Sequence, residues 1–157
     1  LRTTEREVSN RIEAMTRTLK ERERELEALK AQISRIDSED LLTQAYQHGD
    51  SHILIAQVTG QDPDSLRQNA EMLKDKLGSA VVLLATANHD KVSLVCFVSK
   101  DLVKKGLHAG KIIAEAARIT GGGGGGRPDM AQAGGKETDK IEAALKAARD
   151  IVENSLR

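Results

Sequence analysis

The chain has 157 residues, with 24 basic and 24 acidic side chains, so the molecule as a whole carries no basic signature for a polyanionic partner. A single cysteine, Cys96, excludes an internal disulfide framework, and no stretch approaches the length of a membrane span. Tyr46 and Phe97 are the only aromatic residues, which argues against base stacking on aromatic platforms.

Residues 1–36 carry a heptad seam. Val8, Ile12, Met15, Leu19, Arg22, Leu26, Leu29, Ile33 and Ile36 fall at alternating spacings of four and three, flanked mainly by Glu, Arg, Lys and Thr. A narrow apolar stripe with charged sides needs a partner helix, either in a second copy or upstream in the same chain. Arg22 is its one polar interruption. Asp37 to Asp50 reads as a transition, with a short helical segment about Leu41–Gln47 and a turn at Gly49-Asp50.

Ile53–Val58 is apolar and rich in branched side chains, as a buried strand requires. Asp62-Pro63 then gives an N-cap and a first helical position, Leu66, Ala70, Leu73 and Leu77 an inner face, and Gly78 a stop. Ala80–Thr86 and Lys91–Ser99 are two more strands joined by a hairpin-like connection at residues 87–90. A helix over Leu107–Ile119 follows, then a glycine-rich loop, then a last helix over roughly 139–155 in which Asp139 and Glu142 have capping-box spacing. Three or so strands with helices against one face make a small domain, with the strand order left open.

Six consecutive glycines, Gly121, Gly122, Gly123, Gly124, Gly125 and Gly126, run into Arg127-Pro128-Asp129-Met130-Ala131-Gln132-Ala133-Gly134-Gly135. Ordering such a run costs much backbone entropy, so a folded protein keeps it where side chains would obstruct a phosphate, a ligand or a packing corner. We read it as a structured loop rather than a flexible linker, because no serine interrupts it and a mixed, dense segment follows at once. It also lies in the one basic part of the chain: residues 100–136 hold seven basic against three acidic side chains. Lys100, Lys104, Lys105, Lys111 and Arg118 either line the approach to glycine amides or form a solvated helix face, with Arg127 as a forked cation beside them and Gln132 either reading a nucleotide edge or packing the loop. Pro128 restricts Arg127 to extended backbone. Asp129 either pairs with Arg127 or caps the turn, and Met130 belongs to the core.

Catalytic chemistries find no support. The glycines lack the G-K-[ST] ending of a phosphate-binding loop and follow a helix where a dinucleotide fold needs a strand. His48, His52, His89 and His108 are scattered and have no cysteine partner, so no zinc site is expected. Cys96 lies in an apolar run and reads as a buried structural thiol.

The segment GGGGGGRPDMAQAGG resembles the signature of the C-terminal DHH-associated domain, in the form that ends bacterial alanyl-tRNA synthetases. Leu107-His108-Ala109-Gly110-Lys111-Ile112-Ile113 and Lys91-Val92-Ser93-Leu94 resemble that domain's preceding helix and strand, so the resemblance covers roughly residues 50–156 and the long helix before them. DHH phosphoesterases end their related domain with a histidine-containing glycine motif, and no histidine lies in this one. The resemblance implies a module that docks the elbow of alanine-specific tRNA by shape and backbone contact, supporting aminoacylation and editing by upstream domains of the same chain. It also implies a homodimer, a cytoplasmic protein with no membrane partner, and a parent using ATP, magnesium and zinc, with no cofactor in this segment. The chain begins at Leu1 and reads as part of something longer.

The expectation is thus an α/β (α+β) fold: a coiled-coil-type helix over 1–40, then a small mixed β-sheet domain packed with helices over 41–157. Two rival readings stand beside it. One is the nucleic-acid-binding end of a DHH phosphoesterase or of a stand-alone alanyl-tRNA editing protein. The other is a pure oligomerisation module in which the glycines form a packing corner.

Overall fold

A computed structural model describes the backbone of residues 2–157 and the side chains outside residues 1–3 and 33–37. Ile33 and Ile36 of the heptad seam therefore lie outside the described side chains. The chain divides into two compact units, residues 1–37 and 38–157.

Helix α1 runs unbroken over Arg2–Gln44, longer than the heptad seam. In the first unit it leaves Val8, Ile12, Met15, Leu19, Leu26 and Leu29 54–72 % exposed. Arg22 bonds along its own helix, Nη1 to Glu25 Oε2 at 2.7 Å. In the second unit the end of α1 contributes buried Leu41 to a core cluster. The short helix expected about Leu41–Gln47 is thus corrected: residues 41–44 close α1, while Tyr46–His48 form strand β1, pairing antiparallel with β2 (Ser51–Val58) across a tight turn at Gly49.

Next come α2 (Pro63–Leu77), β3 (Ala80–Asn88), β4 (Lys91–Val98), a short α3 (Lys100–Lys104), α4 (Ala109–Ile119), β5 (Gly123–Gly126), β6 (Met130–Gly135) and α5 (Ile141–Ser155). The end signals of α2 act as its sequence dictates. Asp62 Oδ1 accepts from Ser65 N at 2.8 Å, Pro63 opens the helix, and Gly78, with φ 79°, donates its amide to the Lys74 carbonyl at 3.0 Å. The capping box at Asp139 does not form: a 3-10 turn over Thr138–Lys140 leads into α5 without a side-chain cap.

The six strands form one sheet in the order β1-β2-β3-β4-β6-β5. Only β2 and β3 are parallel, joined by the α2 crossover; every other neighbour is antiparallel. Helices cover both faces, not one. Alternation sends Ile53, Ile55, Val81, Leu83, Leu94 and Cys96 to a core shared with α3, α4 and α5. The other face places Leu54, Ala56, Val82, Leu84, Val95 and Phe97 against Leu66, Ala70 and Leu73 of α2 and Leu41 of α1. The two faces are covered to different extents at the β6–β5 end, where the glycines lie.

Candidate functional site

The glycine run is not a loop. Its first residue ends a helix and its last four form the edge strand β5, so each glycine answers a different local demand. Gly121 has φ 67° and donates to the Arg118 carbonyl at 3.3 Å, while Gly122 donates to the Ala117 carbonyl at 2.9 Å. Those two bonds close α4 with a left-handed residue, a position where glycine avoids a Cβ clash. Buried Thr120 fastens the same corner to the far end of β6, its carbonyl accepting from Lys136 N at 2.8 Å and Glu137 N at 2.9 Å.

Gly122, Gly124 and Gly126 are required by close approach. A Cβ on any of them would fall within 3.0 Å of β6 atoms, of Gly134, Ala133 and Ala131 respectively. Gly123 and Gly125 are different. Nothing lies within 4 Å of a Cβ built on either, and neither has a left-handed backbone. Glycine inside a strand is less stable than alanine by roughly 0.5–1 kcal/mol, and no close approach among the described residues offsets that at these two positions.

The strand register shows where the two open glycines face. Cross-strand partners share a face, and Gly123 pairs with Gly134, Gly125 with Gln132. Followed across the sheet, one row reads Thr86–Ser93–Gly134–Gly123 and the next Leu84–Val95–Gln132–Gly125. A third reads Val82–Phe97–Met130, with Met130 accepting at its carbonyl from Arg127 N at 2.8 Å. All belong to the α2 side of the sheet. There α2 packs on β3 and β4, while Gln132, Gly134 and Gly123–Gly126 remain exposed. On the other side α4 packs against β4, β6 and β5, and Gly124 and Gly126 face it with Ala133 and Ala131.

The hairpin turn that ends this strip is held on three sides. Besides the Arg127–Met130 bond, the Pro128 carbonyl accepts from Ala109 N, the first amide of α4, at 2.9 Å, and the Asp129 carbonyl accepts from Val98 N at 2.9 Å. That fixes the Arg127 backbone. Its side chain is 75 % exposed, with Nε 3.4 Å from Asp129 Oδ1, so Asp129 serves as its partner. Met130 is half-buried against the α2-side core.

The cations named from sequence do not gather on one face. Lys100 and Lys104 lie on α3 and Lys105 caps it; α3 follows β4 at the hairpin-turn end and sends Leu102 into the α4-side core. Lys111 and Arg118 are exposed on α4, seven positions or about 10 Å apart along the helix, in the layer opposite Gly123 and Gly125. Arg118 is paired with Glu115, Nη2 to Oε1 at 2.5 Å, and that hydrogen bond holds the Glu115 carboxyl below its ordinary range. Gln132 and Arg127 do share the open strip with the glycines. Sequence reasoning missed three neighbours that strand register and the α2 crossing supply. Ser93 sits beside Gly134, and exposed Lys91 is two residues away on the same face. Lys74 reaches from α2 over the Phe97 ring at 5.5 Å, with Nζ also 3.1 Å from Asp75 Oδ1.

Burial pushes the Cys96 thiol up to about 12, so it is no nucleophile near neutrality. Among the described residues no group of three or more His, Cys, Asp or Glu side chains could hold a metal ion. No described helix is long and apolar enough to cross a membrane. An open depression along α2 is lined by Gln68, Glu71, Met72, Asp75 and Lys76 from that one helix, with no convergent donor set.

Residues 50–154, from the start of β2 to the end of α5, match the family model of the DHHA1 domain. The chain belongs to the DHHA1 domain family. Within that family it is similar to a solved structure, the C-Ala domain from Aquifex aeolicus alanyl-tRNA synthetase: 35 % identity, TM-score 0.64, covering 69 % of this chain and 97 % of that one. Among curated proteins it is 44 % identical over 156 residues to alanine–tRNA ligase of Bacillus subtilis (strain 168), and 42 % identical over 156 residues to that of Alkaliphilus oremlandii (strain OhILAs). Both alignments cover 99 % of this chain, and the chain spans 18 % of the length of each relative. This DHHA1 chain is thus homologous to the C-terminal portion of bacterial alanyl-tRNA synthetases.

Proposed function

We propose that this chain is the C-terminal tRNA-binding module of an alanine–tRNA ligase, docking the elbow of alanine-specific tRNA in support of aminoacylation and editing by upstream domains. The observation that carries the reading is the pinned glycine edge strand with Arg127 at its end, in a chain whose relatives are alanine–tRNA ligases. An exposed backbone strip beside a forked cation suits recognition by shape and phosphate contact rather than by base sequence. The cations of residues 100–136 supply the sequence-independent attraction. Four of the six glycine amides offered by the sequence are occupied, however: those of Gly121 and Gly122 close α4. The Arg127–Met130 bond places Gly125 and Gly123 in the hydrogen-bonded pairs of the ladder, so their amides face β6. The parent protein is cytoplasmic in this reading, and its ATP, magnesium and zinc are held by segments other than this one.

Retention of alanine-specific tRNA at two salt concentrations tests it. Binding should weaken steeply as salt rises, and Arg127→Ala should lower affinity and reduce the salt slope by about one. No retention at low salt would contradict the reading.

A second activity is favoured by one specific observation: the six apolar seam residues left exposed on α1. We infer that they pair with the same stripe of a second copy, giving a homodimer. Sedimentation equilibrium should show a dimer that Leu19→Glu with Leu26→Glu converts to monomer. A monomeric unsubstituted chain would sink the pairing without touching the tRNA reading.

A further inference from the structure

We propose that the open α2-side face of β4, β6 and β5 is a stacking platform for a flat nucleobase surface of the RNA, with Gly123 and Gly125 as its floor and Ser93 and Gln132 as its polar markers. This rests on the RNA-binding reading and says which face of the sheet carries the contact.

The glycine run is split in two by what each residue faces. Gly122, Gly124 and Gly126 are explained by close approach to β6, and Gly121 by its left-handed backbone; Gly123 and Gly125 have open space and ordinary backbone. Their bareness therefore serves something outside the chain. From β4 to β5 the floor is about 10 Å wide, and from Gly123 to Arg127 about 13 Å long, by strand spacing and rise. It is made of peptide planes, with Gly134 adding a third bare position.

The occupant is set by what the floor lacks. It has no exposed apolar side chain: Val95 is buried, and Met130 is half-buried at one border. A protein knob or an acyl chain would gain little there. A rigid planar ring system makes full contact with a flat peptide surface and brings its own edge donors and acceptors to Ser93 and Gln132. The chain supplies no ring of its own for stacking, since Phe97 is buried and Tyr46 packs on the opposite face. Lys91 at one end and Arg127 at the other stand where flanking phosphates would pass, with Lys74 at the α2 border. Asp75 and Asp129 pair with Lys74 and Arg127, and Asp90 adjoins Lys91, so this face contributes shape more than net charge.

Gly125→Leu separates the possibilities. The side chain enters open space, so thermal unfolding of the chain should be unchanged, while affinity for a transcript of alanine-specific tRNA should fall at least about tenfold, with the salt slope retained. Gly123→Leu should behave in the same way. A folded Gly125→Leu chain that binds as tightly as the unsubstituted one overturns the platform and leaves the tRNA reading intact. Failure of both variants to fold overturns it too, because the two positions would then be structural. If the unsubstituted chain retains no tRNA, the reading beneath the platform has failed, a result separable from either of the others.

Discussion

The two sides of the β6–β5 ribbon use the same residue type for opposite reasons. Toward α4, Gly124 and Gly126 let the edge strand approach β6 so closely that a single methyl group has no room. Toward α2, Gly123 and Gly125 exclude nothing and touch nothing, and the sheet ends in an exposed strip bordered by Gln132 and Ser93. The difference teaches that an oligoglycine run need not have one purpose. Here a helix stop, a packing seam and an open surface are interleaved at adjacent positions.

The comparison breaks most visibly at Gly124. Gly124→Ala should cost about 3 kcal/mol and lower the unfolding temperature markedly, because Ala133 and the β6 backbone would have to move together. Calorimetry of the full chain checks this, and a neutral result would remove the packing seam from the account. Gly121→Ala should cost about 1–2 kcal/mol through its left-handed backbone and fray the end of α4, visible in amide exchange at Gly122. At the other end of the packed side, Tyr46 donates to Glu153 Oε1 at 2.5 Å and ties β1 to α5. Tyr46→Phe should cost about 1 kcal/mol.

The same tyrosine gives a pH test. Burial first, and then the bond to Glu153, push its phenol up to about 12 from an ordinary value of 10. A raised folded value means the stabilisation is complete below pH 10 and is lost as pH rises from 10 to 12. With one tyrosine in the chain, its absorbance titration reads this directly. The smallest effect sharpens the comparison: Gly125→Ala should leave stability unchanged or raise it by about 0.5 kcal/mol, the opposite sign to Gly124→Ala.

Much of the scaffold was legible from residue chemistry. Asp62-Pro63 and Gly78 bound α2, and the branched runs at Ile53, Ala80 and Lys91 form strands, because those signals act within a few residues. Strands β5 and β6 were not legible. GGGG has no strand preference, and MAQAGG has no β-branched or aromatic residue, so both exist through pairing to β4 and packing under α4. Tyr46–His48 is a three-residue edge defined by pairing with β2, and short enough that its sequence also fits a helical turn. The heptad pattern gave the helix of the first unit but not its continuation to Gln44.

The candidate site divides along the same line. Glycines, Arg127 and Gln132 could be named from one contiguous motif. Ser93, Lys91 and Lys74 join them only through register and a helix crossing, which one sequence does not encode locally. Conversely, Lys111 and Arg118 are near the motif in sequence but lie in the opposite layer, because α4 covers the side of the ribbon that the even-numbered glycines face.

The central claim, that Gly123 and Gly125 are an open contact surface while Gly121, Gly122, Gly124 and Gly126 are structural, is tested most directly by following backbone amide shifts as alanine-specific tRNA is added to the chain. The account predicts that Ser93, Gln132, Gly134, Gly123 and Gly125 shift most, ahead of residues along the exposed side of α4. Shifts confined to α4, with the Ser93–Gly134–Gly123 row unmoved, would contradict it.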